Sequence, residues 1–111
     1  MDTYNTSLPM STYLMAFSLS EYHATLSFDG SNRTFRVFGR PELVDRGEAV
    51  YANSFAKRAV KIMENYTKID YVTGKMDLIG VPNQYYKIGA MENWGMITFR
   101  YLKKCGRENV V

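Results

Sequence analysis

Apolar and polar residues alternate in two segments of the first forty positions. Between Ser11 and Tyr22, an extended chain would place Met15, Phe17 and Leu19 on one side and small residues on the other. The segment Thr34–Arg40 alternates again. A period of two is typical of half-buried strands, and the FDGSN sequence between the segments is typical of a turn. The beginning of the chain is therefore predicted to be sheet and turns.

A helical pattern follows Pro41, which is predicted to break the strand pattern. Asp45 and, three residues later, Glu48 predict a capping-box start, in which the two side chains satisfy backbone N–H groups. Apolar residues then recur at intervals of three and four, at Tyr51, Phe55, Ala59, Ile62 and Tyr66. Charged residues fall mostly on the other side, at Lys57, Arg58, Lys61 and Glu64. The pattern predicts an amphipathic helix of about five turns.

Two further strands are predicted after the helix, over Lys75–Pro82 and Gly95–Arg100, the second with Ile97 and Phe99 on one side. A tyrosine-rich loop separates them, and a charged tail without periodicity follows. The composition changes at Arg40, where strand-like sequence gives way to helical sequence. We therefore expect two units, residues 1–40 and 41–100, followed by a divergent tail over residues 101–111.

Composition favours a folded protein. The length of 111 residues fits about one small domain, and the hydrophobic fraction of 46% and charged fraction of 23% are ordinary for globular proteins. Lys and Arg number 14 against 11 Asp and Glu, a net charge of +3. Because a nucleic-acid site needs basic residues concentrated on one face, this scattered excess does not favour a nucleic-acid partner.

Few residues suggest metal, disulfide or membrane chemistry. The single cysteine, Cys105, excludes an internal disulfide framework. His23 is the single histidine; it is expected to be structural or exposed, because one histidine cannot build a zinc site by itself. No signal sequence or membrane segment is predicted, since the longest apolar run, Leu14–Phe17, is far too short to span a bilayer. The compartment is left open.

A lone carboxylate is the most unusual local feature. Glu92 is the one acidic residue in an apolar and aromatic stretch that runs from Tyr85 to Arg100. The residues alone are compatible with a carboxylate on a surface turn or with an ion pair to a nearby cation such as Arg100.

The segment GAMENWG, from Gly89 to Gly95, resembles the exopeptidase signature of the zinc aminopeptidases of the aminopeptidase N type, a branch of the gluzincin metallopeptidases. The flanking segments resemble the same family in order and spacing. These are PMSTYLMAF from Pro9, FRVFGRPE from Phe35 and KMDLIGVP from Lys75. The resemblance extends from about Pro9 to Arg100.

The resemblance implies an α+β fragment. Residues 1–40 would be the last strands of a β-sandwich or saddle-like N-terminal β domain. Residues 41–100 would be the helix and the mixed-sheet start of a thermolysin-like catalytic domain.

The resemblance also implies a substrate-binding site at the signature, which would lie on an edge strand where a substrate peptide adds as a neighbouring strand. The implied substrate-binding residues are Gly89, Ala90, Met91, Glu92 and Asn93, with Ile88 in the pocket for the first side chain. Glu92 would bind the substrate's α-amino group, Asn93 would brace the loop, and Trp94 would pack beneath it. An α-amine is largely cationic near neutral pH, whereas an internal amide is not. A desolvated Glu92 would therefore restrict cleavage to the first residue.

Family chemistry requires Zn²⁺, held by an H-E-x-x-H helix and a further glutamate. This chain contains no H-E-x-x-H sequence, so we expect no catalytic residue and no zinc binding in it. The predicted function is that of a fragment of a zinc-dependent aminopeptidase, inactive by itself, that keeps the anchor for the substrate amine. The alternative is a short non-catalytic protein that binds peptide N-termini or a full-length relative.

Overall fold

The computed structural model describes residue 1 and residues 3–101. Its elements are a 3₁₀ turn at Thr12–Leu14, then β1 (His23–Phe28), β2 (Thr34–Gly39), α1 (Pro41–Asp45), α2 (Ala49–Thr67), β3 (Lys75–Pro82), β4 (Ala90–Met91) and β5 (Met96–Tyr101). The strands at β2, β3 and β5 confirm the predictions for these segments to within one residue at each end. Residues 102–111, including Cys105, lie outside the described residues.

The five strands form one mixed sheet in the order β1-β2-β3-β5-β4. β1 and β2 form an antiparallel hairpin, β2 and β5 each run parallel to β3, and β4 runs antiparallel to β5. The predicted FDGSN turn closes the hairpin, where Asp29 Oδ1 accepts hydrogen bonds from the N–H groups of Ser31 and Arg33. The described residues therefore form a small α+β fold with a five-stranded mixed sheet and one main helix.

Helix α2 provides the crossover that a parallel β2–β3 pair requires. It packs against β2 and β1, and its Ala56 joins Phe35, Met76 and Leu78 of the sheet in the buried core. Ala56 has a small side chain that packs on the sheet, so the helix backbone can approach the strands closely at this position. Strands from both predicted units, residues 1–40 and 41–100, lie in this one sheet. The division into two units stays a prediction.

The predicted helix is confirmed, but its predicted apolar face is wrong. Tyr51, Phe55, Ile62 and Tyr66 are all more than half exposed, whereas the buried face consists of Ala49, Asn53 and Ala56. The reason is that a polar residue, Asn53, lies at the centre of the contact with the sheet. The side chain of Glu64, predicted on the solvent side, forms an ion pair with Arg33.

The predicted start of the helix is also wrong. Pro41 begins the short helix α1, because the fixed φ of proline fits the first turn of a helix, where no N–H donor is needed. Asp45 ends α1, and its carboxylate contacts His23 rather than capping α2. Glu48 is the N-cap residue of α2 and makes no side-chain capping bond.

The strand predicted between Ser11 and Tyr22 is not formed. This segment contains a 3₁₀ turn and no strand, and Met15, Phe17 and Leu19 are exposed. A strand needs hydrogen-bond partners for its main-chain groups in a neighbouring strand. In this segment, Leu14 C=O instead accepts a hydrogen bond from Trp94 N–H, in the signature segment. Alternation alone therefore did not identify a strand here.

Candidate functional site

The signature segment Gly89–Gly95 begins at the edge of the sheet. β4 pairs with β5 through Ala90–Phe99 and Met91–Thr98, and among the described residues it is the outermost strand on that side. Arg100 N–H donates to Gly89 C=O at 2.9 Å. Because main-chain groups alternate in direction along an antiparallel strand, the N–H and C=O of Ala90 point away from β5. The outer edge of β4 therefore presents one donor and one acceptor for an added strand.

The main chain is exposed where β4 begins. Gly89 and Ala90 are both exposed, and among the described residues nothing lies within 4 Å of a Cβ atom built on Gly89.

Glu92 follows β4 and has an exposed side chain. Within residues 1 and 3–101, its carboxylate forms no hydrogen bond or ion pair. The considered pairing with Arg100 is not formed, since the Arg100 guanidinium donates to Lys87 C=O instead, at 3.4 Å. The carboxylate is thus unpaired in this part of the chain, but it is not desolvated as the sequence argument supposed, because it lies at the sheet edge.

Asn93 is buried and ties the signature segment to the N-terminal part of the chain. Its Nδ2 donates to Tyr13 C=O at 3.3 Å, and Trp94 N–H donates to Leu14 C=O at 3.2 Å. These contacts hold the signature segment against the N-terminal part of the chain. Trp94, expected beneath the loop, is 37% exposed and borders an apolar groove.

Gly95 closes the turn and is held through both of its main-chain polar groups. Its N–H donates to Tyr71 Oη at 3.0 Å. Its C=O accepts from Asp77 N–H at 3.0 Å and from Lys75 Nζ at 2.8 Å. The φ of Gly95 is 74°, in the left-handed region that favours glycine.

A buried ion cluster lies beneath this turn and was missed by the sequence reasoning. Asp77 is 2% exposed and is paired with Lys75 at 2.6 Å and, through both carboxylate oxygens, with Arg36 at 2.7 Å. The hydrogen bond to Asp77 raises the pKa of Arg36 above its ordinary value. Two charged residues at alternate positions of the otherwise apolar strand β3 were the signal available in the sequence.

The remaining predicted site residues, Ile88 and Met91, lie beside and in β4. Ile88 is exposed and Met91 is partly buried. The preceding loop is anchored by a 2.6 Å hydrogen bond between Tyr86 Oη and Thr98 Oγ1. The structure therefore groups Ile88 with the signature at one edge.

An apolar groove of about 970 Å³ runs between α2 and the half of the sheet that α2 leaves uncovered. Its walls include Tyr51, Phe55, Ala59 and Met63 from the helix and Leu78, Ile97, Phe99 and Tyr101 from the sheet. Phe99 also lies opposite Ala90 in the pairing of β5 with β4. The groove therefore reaches the strand next to the signature.

The described residues do not fit a zinc ion. Among them, no three His, Cys, Asp or Glu side chains converge as a metal-binding group would require. His23 begins β1, at the sheet edge opposite β4, and its Nδ1 lies 2.9 Å from Asp45 Oδ1. Within the same residues, no helix is both long and apolar enough to cross a membrane.

Comparison with known proteins identifies clear relatives. A family model described as peptidase family M1 domain matches residues 51–104. Human (Homo sapiens) glutamyl aminopeptidase is 34% identical over 98 residues, which are 88% of this chain and 10% of that protein. The thyrotropin-releasing hormone-degrading ectoenzyme of Rattus norvegicus is 36% identical over 90 residues, or 81% and 8%. Aminopeptidase N of Oryctolagus cuniculus is 33% identical over 97 residues, or 87% and 10%. The chain spans about a tenth of the length of these relatives.

Proposed function

The chain belongs to peptidase family M1, and from this premise we propose that it is the part of a zinc-dependent aminopeptidase that holds the free amino end of a peptide substrate. The observation that carries the proposal is the carboxylate of Glu92, which is unpaired within the described residues and lies directly after an open edge strand. The names of two of the relatives describe aminopeptidases, which supports a peptide substrate.

The first step of recognition is strand addition. An extended peptide pairs with the N–H and C=O of Ala90 and so becomes a sixth strand beside β4. These main-chain bonds fix the direction and register of the peptide without regard to its sequence. The open space at Gly89 admits its backbone.

The second step is recognition of the α-amine by Glu92. A peptide α-amine has a reference pKa of about 7.7–8.0 and is therefore mostly protonated at neutral pH. Hydrogen bonds to charged groups contribute roughly 1.5–3 kcal/mol, and solvent exposure of Glu92 lowers this to about 1 kcal/mol or less because water screens the charges. An N-acetylated peptide lacks the cation and loses this contribution.

The finer fold assignment belongs to the same proposal. Residues 1–40 correspond to the end of a β domain and residues 41–100 to the start of a thermolysin-like domain. The apolar groove supports this assignment, because a groove of about 970 Å³ beside a half-covered sheet is typical of a face that further polypeptide covers. The residues described here supply substrate contacts and no ligands for zinc, so no step of hydrolysis is assigned to them.

The test compares a short peptide with its N-acetylated form by NMR titration of the ¹⁵N-labelled chain. We expect the free peptide to bind about fivefold more tightly, since 1.4 kcal/mol corresponds to tenfold and an exposed charge pair contributes up to about 1 kcal/mol. The Glu92→Gln variant should bind both forms alike. Glu42→Gln, which neutralises an exposed carboxylate of α1, should retain the preference. Equal binding of the two peptides by the unaltered chain would refute the amine-anchor role.

A second candidate is a short non-catalytic protein that binds peptide N-termini or a partner such as a full-length relative. The groove favours it as well, because an apolar surface of this kind also fits a partner protein. The mass of the native polypeptide distinguishes the two. A native mass of 12.8 kDa supports the short protein, whereas a mass near that of the relatives supports the fragment.

A further inference from the structure

We propose that Lys75, held in place by the buried Asp77, is a positioning residue that fixes the turn carrying Glu92. The inference rests on the proposed role of Glu92. It assigns a task to an ion cluster that does not itself touch the peptide.

The cluster is built to hold the Lys75 ammonium in one place. Asp77 is buried, and a buried carboxylate is strongly destabilising unless it is paired and hydrogen-bonded. It accepts from Arg36 with both oxygens at 2.7 Å and from Lys75 at 2.6 Å. The two cations retain partly exposed side chains, 38% for Arg36 and 41% for Lys75.

Lys75 extends this cluster to the signature. Its Nζ reaches Gly95 C=O at 2.8 Å, the same oxygen that accepts from Asp77 N–H at 3.0 Å. On its other side, Gly95 N–H is bound by Tyr71 Oη. Glu92 lies between fixed points, because β4 before it is paired with β5, and Asn93, Trp94 and Gly95 after it are held by hydrogen bonds. The Lys75 contact is therefore one of those that fix the main chain that carries Glu92.

Arg36 offers a matched control within the same cluster. Like Lys75, Arg36 is partly exposed and bonds to the Asp77 carboxylate, so substitution of either residue removes a cation from Asp77. None of the hydrogen bonds of Arg36 to other described residues reaches Gly95. A purely structural cluster predicts similar consequences for the two cations. A positioning role predicts that Lys75 alone affects the turn.

The test compares Lys75→Met, which keeps the aliphatic stem, with Arg36→Met and with Lys75→Arg. Two measurements are made on the full chain: amide hydrogen exchange at Gly95 and Met96 relative to Val37 in β2, and the ratio of affinities for free and N-acetylated peptide. For Lys75→Met we expect exchange at the turn to rise about tenfold relative to Val37, and the affinity ratio to fall toward one. Arg36→Met should lower global stability while keeping both values, and Lys75→Arg should restore the protection at least in part.

The outcomes separate this inference from the proposed function. If Arg36→Met changes exchange at the turn as much as Lys75→Met does, or if neither variant changes it, the positioning role is refuted. If the unaltered chain does not distinguish the two peptides, the proposed function fails. The exchange pattern still decides whether Lys75 fixes the turn.

Discussion

Asn53 is a buried polar residue through which α2 contacts the hairpin, and its replacement by alanine tests how the helix is held. The side chain is 4% exposed. Its Nδ2 donates to Thr25 Oγ1 at 3.1 Å and to Phe35 C=O at 3.2 Å, and its Oδ1 accepts from Ser27 Oγ. These bonds connect α2 to both β1 and β2.

The loss of free energy follows from these contacts. A typical hydrogen bond contributes a net of about 0.5–1.5 kcal/mol, so three bonds contribute roughly 1.5–4.5 kcal/mol. Thr25 and Ser27 are only partly buried, and their hydroxyls can turn to water, which lowers the cost. The cavity left by the amide raises it again. We therefore expect Asn53→Ala to lower the free energy of unfolding by about 2–4 kcal/mol.

Urea denaturation followed by Trp94 fluorescence and far-ultraviolet circular dichroism measures this change. With a slope of about 1.5 kcal/mol per molar urea, typical of small proteins, the midpoint should fall by about 1–3 M. Ser54→Ala, at the next and exposed position of the helix, should shift the midpoint by no more than about 0.3 M. If the two variants unfold at the same urea concentration, Asn53 does not hold the helix and the argument fails.

Two further predictions concern pH and backbone conformation. The N–H of Tyr71, and then Arg33, hold the pKa of Glu64 below its ordinary value. The ionised Glu64 therefore stabilises the folded protein above about pH 4.3, the pKa of the unfolded chain. This contribution to the free energy of unfolding is lost as pH falls through the lower pKa of the folded protein. Glu64→Gln should therefore be less stable than the unaltered chain at pH 7 and equal to it near about pH 3 in thermal melts; a difference independent of pH would contradict this. Gly95→Ala should lower the free energy of unfolding by about 1–2 kcal/mol, because the φ of 74° at this position is unfavourable for a residue with a Cβ atom. The control Gly74→Ala, at a glycine in open space without a positive φ, should have little effect on the melting temperature. Equal losses of stability in the two variants would contradict the backbone argument.

Local sequence patterns predicted the strands and the helix that are marked by their own residues. β3 and β5 have strand-like composition bounded by turn residues, and α2 has a helical period over five turns, so each could be predicted without knowing its neighbours. The orientation of α2 could not. It depends on hydrogen bonds from Asn53 to strand residues that are 18 and 28 positions away in the chain. A sequence pattern predicts that a polar residue such as Asn53 faces solvent, although here it is buried.

The strand predicted between Ser11 and Tyr22 was wrong for a related reason. Alternation in this segment satisfies the side chains of a strand but not its main-chain groups, which need a partner strand. Main-chain groups near Leu14 bond instead to the signature segment, about 80 residues away in the chain. No local pattern contains that information.

For the candidate site, sequence resemblance located Glu92 but not its surroundings. The signature segment is continuous, so its position could be found directly. Its Gly95 is held by Lys75 and Asp77 of β3, which the parallel pairing of β3 with β5 brings beside it, and by Tyr71 in the loop before β3. The exposure of Glu92 was also unpredictable, because burial at an edge depends on what covers that edge.

The groove and the proposed amine anchor are connected through Phe99. This residue lines the groove and lies opposite Ala90 in the pairing of β5 with β4. Polypeptide that filled the groove would therefore lie against β5, one strand away from the binding edge, and would leave the outer side of β4 open to a peptide. It would also exclude water near the signature, and a charge pair is stronger where water is excluded. We therefore expect the anchor to distinguish free amines more sharply once the groove is covered. This would reconcile the exposed Glu92 of the present structure with the amine selectivity proposed for it.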